Sequence, residues 1–243
     1  MPRFFVSIDA IKSDKIILTG ENMHHLANVL RCRTGENVTV SDSSGFDYDC
    51  LIESIAKTDV TLKILDKKKS QGEPLVKISL FQGLPKGDKF SLIVEKCVEA
   101  GVYDITPVNM ARCVLKISKK DFEKKKERYN KISLSAAKQS GRGIVPLVNN
   151  LIDFSEFKNL VDDYDLVLFP YEEEKSHTLK SALKDFKGEK IAIIIGPEGG
   201  FSKEESEEIK NCGIQSVTLG NRILRTETAG LASIFNILYE LEL

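Results

Sequence analysis

The chain has no tryptophan, only three histidines and only five cysteines among its 243 residues. Cys32, Cys50, Cys97, Cys113 and Cys212 are odd in number, widely spaced and never form a C-x-x-C pair. That excludes a disulfide framework or a zinc ribbon and fits reduced thiols in a cytoplasmic protein. His24 and His25 are adjacent, so on a helix they point different ways, and His177 stands alone; no metal site is expected. No apolar run approaches the ~18 residues of a membrane span. The opening "MPRFFVSIDAIKSDK" puts charges directly behind a short apolar patch, so no signal peptide is expected. Apolar residues at 42 % and charged residues at 29 % describe a soluble globular chain long enough for one large or two modest domains.

Net charge is −1, but it is unevenly spread. Residues 84–142 carry 14 basic and 7 acidic side chains, and residues 143–243 carry 10 and 18. A local excess of +7 can draw phosphate; the lysine-rich run 119–131 taken alone reads as a solvated helix face.

The first seventy residues hold five strand signals, "RFFVSI", "KIILTG", "NVTVSD", "YDCLIESIA" and "DVTLKIL", and one helical stretch, "ENMHHLANVLR". Together they suggest a small barrel, followed by a charged linker, "DKKKSQGEP". Beyond Leu75 strands alternate with helices. "DKFSLIVEKCVEAG" places Phe90, Ile93, Val94, Cys97 and Val98 on one face, with Asp88 as N-cap and Gly101 as terminator. "KKDFEKKKERYNKISLSAAKQSG" places Phe122, Tyr129, Ile132 and Ala136 inward. Further strands are "DLVLFP", "KIAIIIG" and "IQSVTLG", with helices expected at 176–186, 202–211 and 227–241. This rhythm implies an α/β domain with a mostly parallel sheet.

Open α/β sheets bind ligands beyond the carboxyl ends of their strands. Three such ends are unusual here: "LVLFPYEEE", "IAIIIGPEGGFSKEE" and "VTLGNRILRTETAG". In the second, Gly196, Gly199 and Gly200 let the backbone approach a ligand or take positive φ. Ser202 and Glu205 form a capping box for the next helix, so a plain tight turn is the alternative. No dinucleotide or Walker-type glycine motif is present, Pro197 removes an amide donor, and Glu198 would repel phosphate. In the third, Arg222 and Arg225 precede a helix N-terminus, where cations oppose the helix dipole. An anionic partner accounts for them, as does pairing with Glu227 or the acidic residues 172–174.

"IIIGPEGGFSKEE" with "LGNRILRTETA" resembles the paired C-terminal motifs of the SPOUT RNA methyltransferases, and within them the bacterial 16S rRNA uracil N3-methyltransferase family. "MPRFFV", "HHLANVLR", "KGDKFSLIVEKCVEAGVYDITPV" and "AAKQSGR" extend the likeness over the whole chain, in order. One departure is Asn28, where the family pattern leads one to expect arginine. The resemblance implies a PUA-like β-barrel RNA-binding domain at 1–72 and a SPOUT domain at 73–243 ending in a trefoil knot. It implies a cytoplasmic homodimer that uses S-adenosylmethionine to methylate N3 of a uridine in 16S rRNA, within the small ribosomal subunit, without a metal. A non-catalytic RNA-binding assembly factor of the same fold is the alternative, and a nucleotide-phosphate enzyme a third reading.

By the same resemblance, the cofactor lies against Leu168, Phe169, Pro170 and Tyr171, then Gly196, Pro197, Glu198, Gly199 and Gly200. The last loop adds Leu219, Gly220, Ile223, Leu224, Arg225, Thr226 and Thr228. Loss of the N3 proton leaves a uracil anion, which a guanidinium stabilises. Arg225 is the first candidate for that role and Arg222 the second, while Glu198 either accepts the proton or favours the adjacent helix N-terminus. RNA contacts are expected from Arg3, Arg31 and Arg33, from Lys86, Lys89 and Lys96, and from Gln139, Ser140, Gly141 and Arg142; Gly141 reads also as a C-cap.

Overall fold

A computed structural model describes residues 1–242. The chain divides into two compact units, Met1–Glu73 with Ala137–Val145, and Pro74–Ala136 with Pro146–Leu243.

The first unit contains β1 (Arg3–Phe5), β2 (Ile11–Lys12), β3 (Lys15–Thr19), α1 (Gly20–His24), β4 (Asn37–Ser41), β5 (Phe46–Ile55) and β6 (Asp59–Lys69). They make a six-stranded sheet in the order β1-β4-β5-β6-β3-β2. Alternate residues turn to one core, including Phe4, Ile16, Leu18, Val38, Val40, Ile52 and Leu62, as a half-buried sheet requires. The predicted helix 21–31 is shorter than expected: α1 passes into a π-turn, His25–Val29, and Arg31 follows at φ 55°. The first four residues of the predicted linker are strand, and residues 70–74 are turn and irregular. Residues 66–69 continue β6 and pair with residues 46–49 of β5, so backbone pairing outweighs their polar composition.

In the second unit follow β7 (Lys77–Gly83), α2 (Lys89–Ala100), β8 (Asp104–Asn109), α3 (Lys119–Ser140), whose last residues belong to the first unit, β9 (Leu147–Val148), β10 (Ile152–Asp153) and α4 (Phe154–Phe157). After them come β11 (Leu166–Pro170), α5 (Leu179–Leu183), β12 (Lys190–Ile195), α6 (Lys203–Asn211), β13 (Gln215–Val217) and α7 (Thr226–Glu242). The sheet is parallel, in the order β10-β8-β7-β12-β11-β13, with β9 also on β8. Residues 191–195 are all buried, because β12 pairs on both edges and is covered on both faces.

Helix α2 buries the predicted face, and Gly101 closes it at φ 108°. Asp88 occupies the N-cap position at φ −86°, ψ 4° and makes no capping bond. That backbone is not extended, so the carboxylate cannot fold back onto the first turn; Arg128 Nη2 donates to it at 3.3 Å instead. Along α3, Phe122, Tyr129 and Ala136 are buried, but Ile132 is only half-buried and Ser133 takes the interior place, its hydroxyl donating to Pro146 O. The helix predicted from 176 starts only at Leu179. Glu174 Oε1 accepts from Ser176 N–H at 2.9 Å and His177 N–H at 3.0 Å, which holds those residues in a turn, and Thr178 then caps the helix.

Candidate active site

The sheet of the second unit sends three loops past the carboxyl ends of β11, β12 and β13, and these loops enclose a cavity of about 380 Å³. That volume falls in the range of small-molecule sites, ~300–1,000 Å³. From β11 the wall receives Pro170, Tyr171, Glu172 and Lys175; from β12 it receives Ile195, Gly196, Pro197, Glu198, Gly200 and Phe201. Residues 218–226 and Ala229 close the remaining side, and Lys89 reaches in from the start of α2.

Close main-chain packing holds this arrangement. A Cβ on Gly83 would lie 2.6 Å from Pro197 N, so the end of β7 touches the glycine loop directly. Gln82 Nε2 donates to Thr226 Oγ1 at 2.8 Å, and Thr226 Oγ1 donates to Gly196 O at 2.6 Å. This chain of bonds ties β7, β12 and the start of α7 together inside the protein, where such bonds are costly to break. Gly200 sits at φ 67°, a backbone that side chains resist. Ser202 and Glu205 form the expected capping box. Glu174 also accepts from Ser216 Oγ at 2.8 Å, anchoring the β11 loop to β13. Its carboxyl lies well below the usual range because backbone N–H groups of His177 and Ser176 and the hydroxyls of Ser216 and Ser176 solvate the anion.

Several expected residues take other roles. Leu168 and Phe169 are fully buried and do not line the cavity; Phe169 instead supports it, its ring 4.8 Å from Tyr171 and 4.6 Å from Phe201. Gly199 and Thr228 also lie outside the lining. Lys89, expected on phosphate, bridges Glu198 and Glu227 at 3.3 Å each. Glu198 further accepts from Lys86 N–H at 3.1 Å. Partial burial pushes the Glu198 carboxyl up, but its own N–H, that of Lys86 and the Lys89 ammonium outweigh it, and the net direction is down. A carboxylate so stabilised is a weaker proton acceptor, which favours the reading of Glu198 as a group that fixes the loop beside the helix N-terminus. Arg225 is 82 % exposed, with Glu227 no closer than 4.0 Å; Arg222 is exposed as well.

Two of the expected RNA contacts are structural. Arg142 gives its Nε and Nη2 to Glu73 at 2.9 and 2.8 Å and is buried. Arg3 gives Nη1 and Nη2 to Asp47 at 2.7 and 2.9 Å, and Nη1 also to Arg142 O at 2.8 Å. A guanidinium already held by a carboxylate has little left for phosphate. Gly141, at φ 74°, ends α3, and Lys96 pairs with Glu95 and Glu99. Arg31, Arg33, Lys86 and Gln139 are exposed and Ser140 is half-buried.

Sequence reasoning missed Gln82, Glu172, Lys175, Asn221 and Ala229. Gln82 carried a signal, a lone amide inside the apolar strand "LVKISLFQG"; Glu172 and Asn221 carried only adjacency. Among the described residues no cluster of His, Cys, Asp or Glu could hold a metal ion, and no helix is long and apolar enough to cross a membrane.

Residues 71–237 match the model of an RNA methyltransferase domain, and residues 18–65 that of an RNA methyltransferase PUA domain. The chain belongs to this RNA methyltransferase family. It is similar to the ribosomal RNA small subunit methyltransferase E of Bacillus subtilis, at 34 % identity over 100 % of this chain and 98 % of that protein. A crystal structure of a hypothetical protein superposes with a TM-score of 0.91 at 32 % identity, covering 99 % and 98 % of the two chains. The Neisseria gonorrhoeae small subunit methyltransferase E, solved bound to S-adenosyl methionine, superposes at 0.84 with 32 % identity over 98 % and 97 %. Membership in the RNA methyltransferase family accounts for a PUA-like unit preceding a parallel α/β unit.

Proposed function

We propose that this chain transfers a methyl group from S-adenosylmethionine to N3 of a uracil in 16S ribosomal RNA of the small subunit. The observation that carries the reading is the cavity at the ends of β11, β12 and β13, with glycine-rich backbone on one side and Arg222 and Arg225 at its rim.

The residues present fit the cofactor. A purine edge needs donors and acceptors at fixed spacing, which backbone groups of the cavity-lining residues among 196–198 and 219–224 can supply without charged side chains. The cofactor, when bound, supplies an electrophilic methyl on sulfur. The protein's own task is then to position the base and favour its anion. Positioning alone supplies a large share of rate in a direct transfer. In this reading Arg225, exposed and weakly paired, faces the uracil carbonyl oxygens as N3 gives its proton to solvent, and Arg222 assists. Glu198, held by Lys86 N–H and Lys89, fixes the glycine loop rather than taking the proton. Pro170 and Tyr171 form the opposite wall, and Gly220, at φ 108°, turns the last loop.

The finer expectations belong to the same reading. The loops at the ends of β11 to β13 form the trefoil knot of the family, supported by the close approach of Gly83 to Pro197 and the Thr226 bond to Gly196. The enzyme works as a cytoplasmic homodimer: Phe235 and Tyr239 on α7 are 54 % and 68 % exposed, an apolar face a second copy would cover. Arg31 and Arg33 in the PUA-like unit and Lys86 in the other contact RNA phosphates.

The test is mass mapping of 16S rRNA from cells with and without this chain, paired with calorimetry. The reading expects one methylated uridine to disappear on deletion and S-adenosylmethionine to bind the purified protein. An unchanged methylation map would defeat it.

A further inference from the structure

The cations of residues 84–142 fall into two groups. Along α3 five of the eight cations have an acid partner: Lys119 pairs with Asp153 and Glu156, Lys124 with Asp121, Lys126 with Glu123, Arg128 with Asp88 and Lys131 with Glu127. Their field is largely cancelled where it arises. In the loop between β8 and α3, Arg112 is exposed and makes no carboxylate pair among the described residues. Glu204 feels its charge without pairing to it.

Arg112 is nonetheless fixed in place. Its Nη1 donates to Gly199 O at 3.0 Å, and a Cβ on Gly199 would lie 3.0 Å from Arg112 Cβ. The residue before it is pinned by Ala111 N–H donating to Glu205 Oε1 at 2.7 Å. Lys116 Nζ donates to Met110 O and Ala111 O at 3.3 and 3.2 Å. Gly196, Pro197, Glu198 and Gly200 face the cavity, while Gly199 does not. Arg112 therefore sits on the outer side of the loop whose inner side lines the cavity.

We propose that Arg112 is an RNA phosphate site that also positions the glycine loop, so that RNA binding and methyl-donor binding reinforce each other. This rests on the methyltransferase reading above. A planar guanidinium can hold a carbonyl with one N–H and offer the others to a phosphate. Ordering Gly199 by this route lowers the cost of ordering the cavity wall, and the linkage is reciprocal.

The experiment compares wild type, Arg112→Ala, Arg112→Gln and Arg112→Lys, each confirmed folded by its thermal midpoint. Binding of 16S rRNA is measured across a salt series, and S-adenosylmethionine affinity with and without that RNA. Arg112→Ala and Arg112→Gln are expected to weaken RNA binding about tenfold and to flatten the salt slope by about one unit, while Arg112→Lys keeps both. RNA is expected to tighten donor binding in wild type and to lose that effect in Arg112→Ala. Wild-type RNA affinity and salt slope in both charge-removing variants would overturn the phosphate site; undiminished tightening in Arg112→Ala would overturn the coupling. Wild type that binds donor and RNA yet leaves rRNA unmethylated would instead count against the methyltransferase reading, with the salt series still deciding Arg112.

Discussion

Arg142, in the segment Ala137–Val145, and Arg225, in the loop after β13, carry the same guanidinium in opposite settings. Arg142 has a 3 % exposed side chain 2.8 Å from Glu73, whereas Arg225 is 82 % exposed and 4.0 Å from Glu227. Glu73 Oε1 also accepts from Gly143 N–H at 2.7 Å and Ile144 N–H at 3.1 Å, so protein donors surround the carboxylate that holds Arg142. Such a pair specifies how a segment lies; an arginine left in water at a strand end keeps its donors unspent. Motif membership does not separate the two, since both sit in stretches that match one family pattern.

The largest expected effect would break that contrast on its structural side. Arg142→Ala should destabilise the protein by about 3–5 kcal/mol, because Glu73 is left without its cation; urea unfolding measures it, and a loss below about 1 kcal/mol would place Arg142 with the ligand-facing arginines. On the other side, Arg225→Ala should lower the methylation rate constant about 10²-fold with donor affinity intact. Its stability should stay within about 0.5 kcal/mol, as for an ordinary surface change. Gly83→Ala sharpens the picture of a main-chain site. Its Cβ would meet Pro197, so a cost of about 1–3 kcal/mol is expected, together with weaker S-adenosylmethionine binding by calorimetry.

The smallest effect concerns Glu174. Its folded carboxyl is depressed, so its contribution to stability is full above the ordinary Glu value, about 4.3, and fades as pH falls through the folded value. Relative to Glu174→Gln, wild type should therefore lose stability between about pH 5 and pH 3 and keep a constant margin near about pH 7. A margin that does not change with pH would mean that the carboxylate's charge is not what holds the β11 loop.

Local patterns were the legible part of the fold. Five apolar residues before Gly196 read as a central strand, the face of α2 read from its spacing, and the Ser202–Glu205 box read from two residues. These depend on neighbours in sequence. The illegible part depends on partners far along the chain. Nothing near Asp88 says that its backbone is not extended, nor that Arg128 will take the carboxylate. Nothing near Ile132 says that Ser133 will find Pro146 O. The helix expected from 176 lost its first turn to Glu174, whose four bonds include one to Ser216. At the site, glycines and arginines pointed to loops that line the cavity, while Gln82, the residue that bonds Thr226, lies more than a hundred residues earlier. Arg142 misled because a buried pair and a phosphate contact ask for the same side chain.

The thiols have a practical consequence. Burial pushes Cys50 and Cys97 up to about 12 and raises Cys113 and Cys32 as well, which makes them slow nucleophiles. Cys212, by contrast, lies open just after α6. A maleimide dye added at neutral pH should therefore react first at that position, at the far end of the helix that begins beside the glycine loop. The native chain thus offers a ready-made optical handle for following donor or RNA capture in real time, without any cysteine having to be engineered in or out.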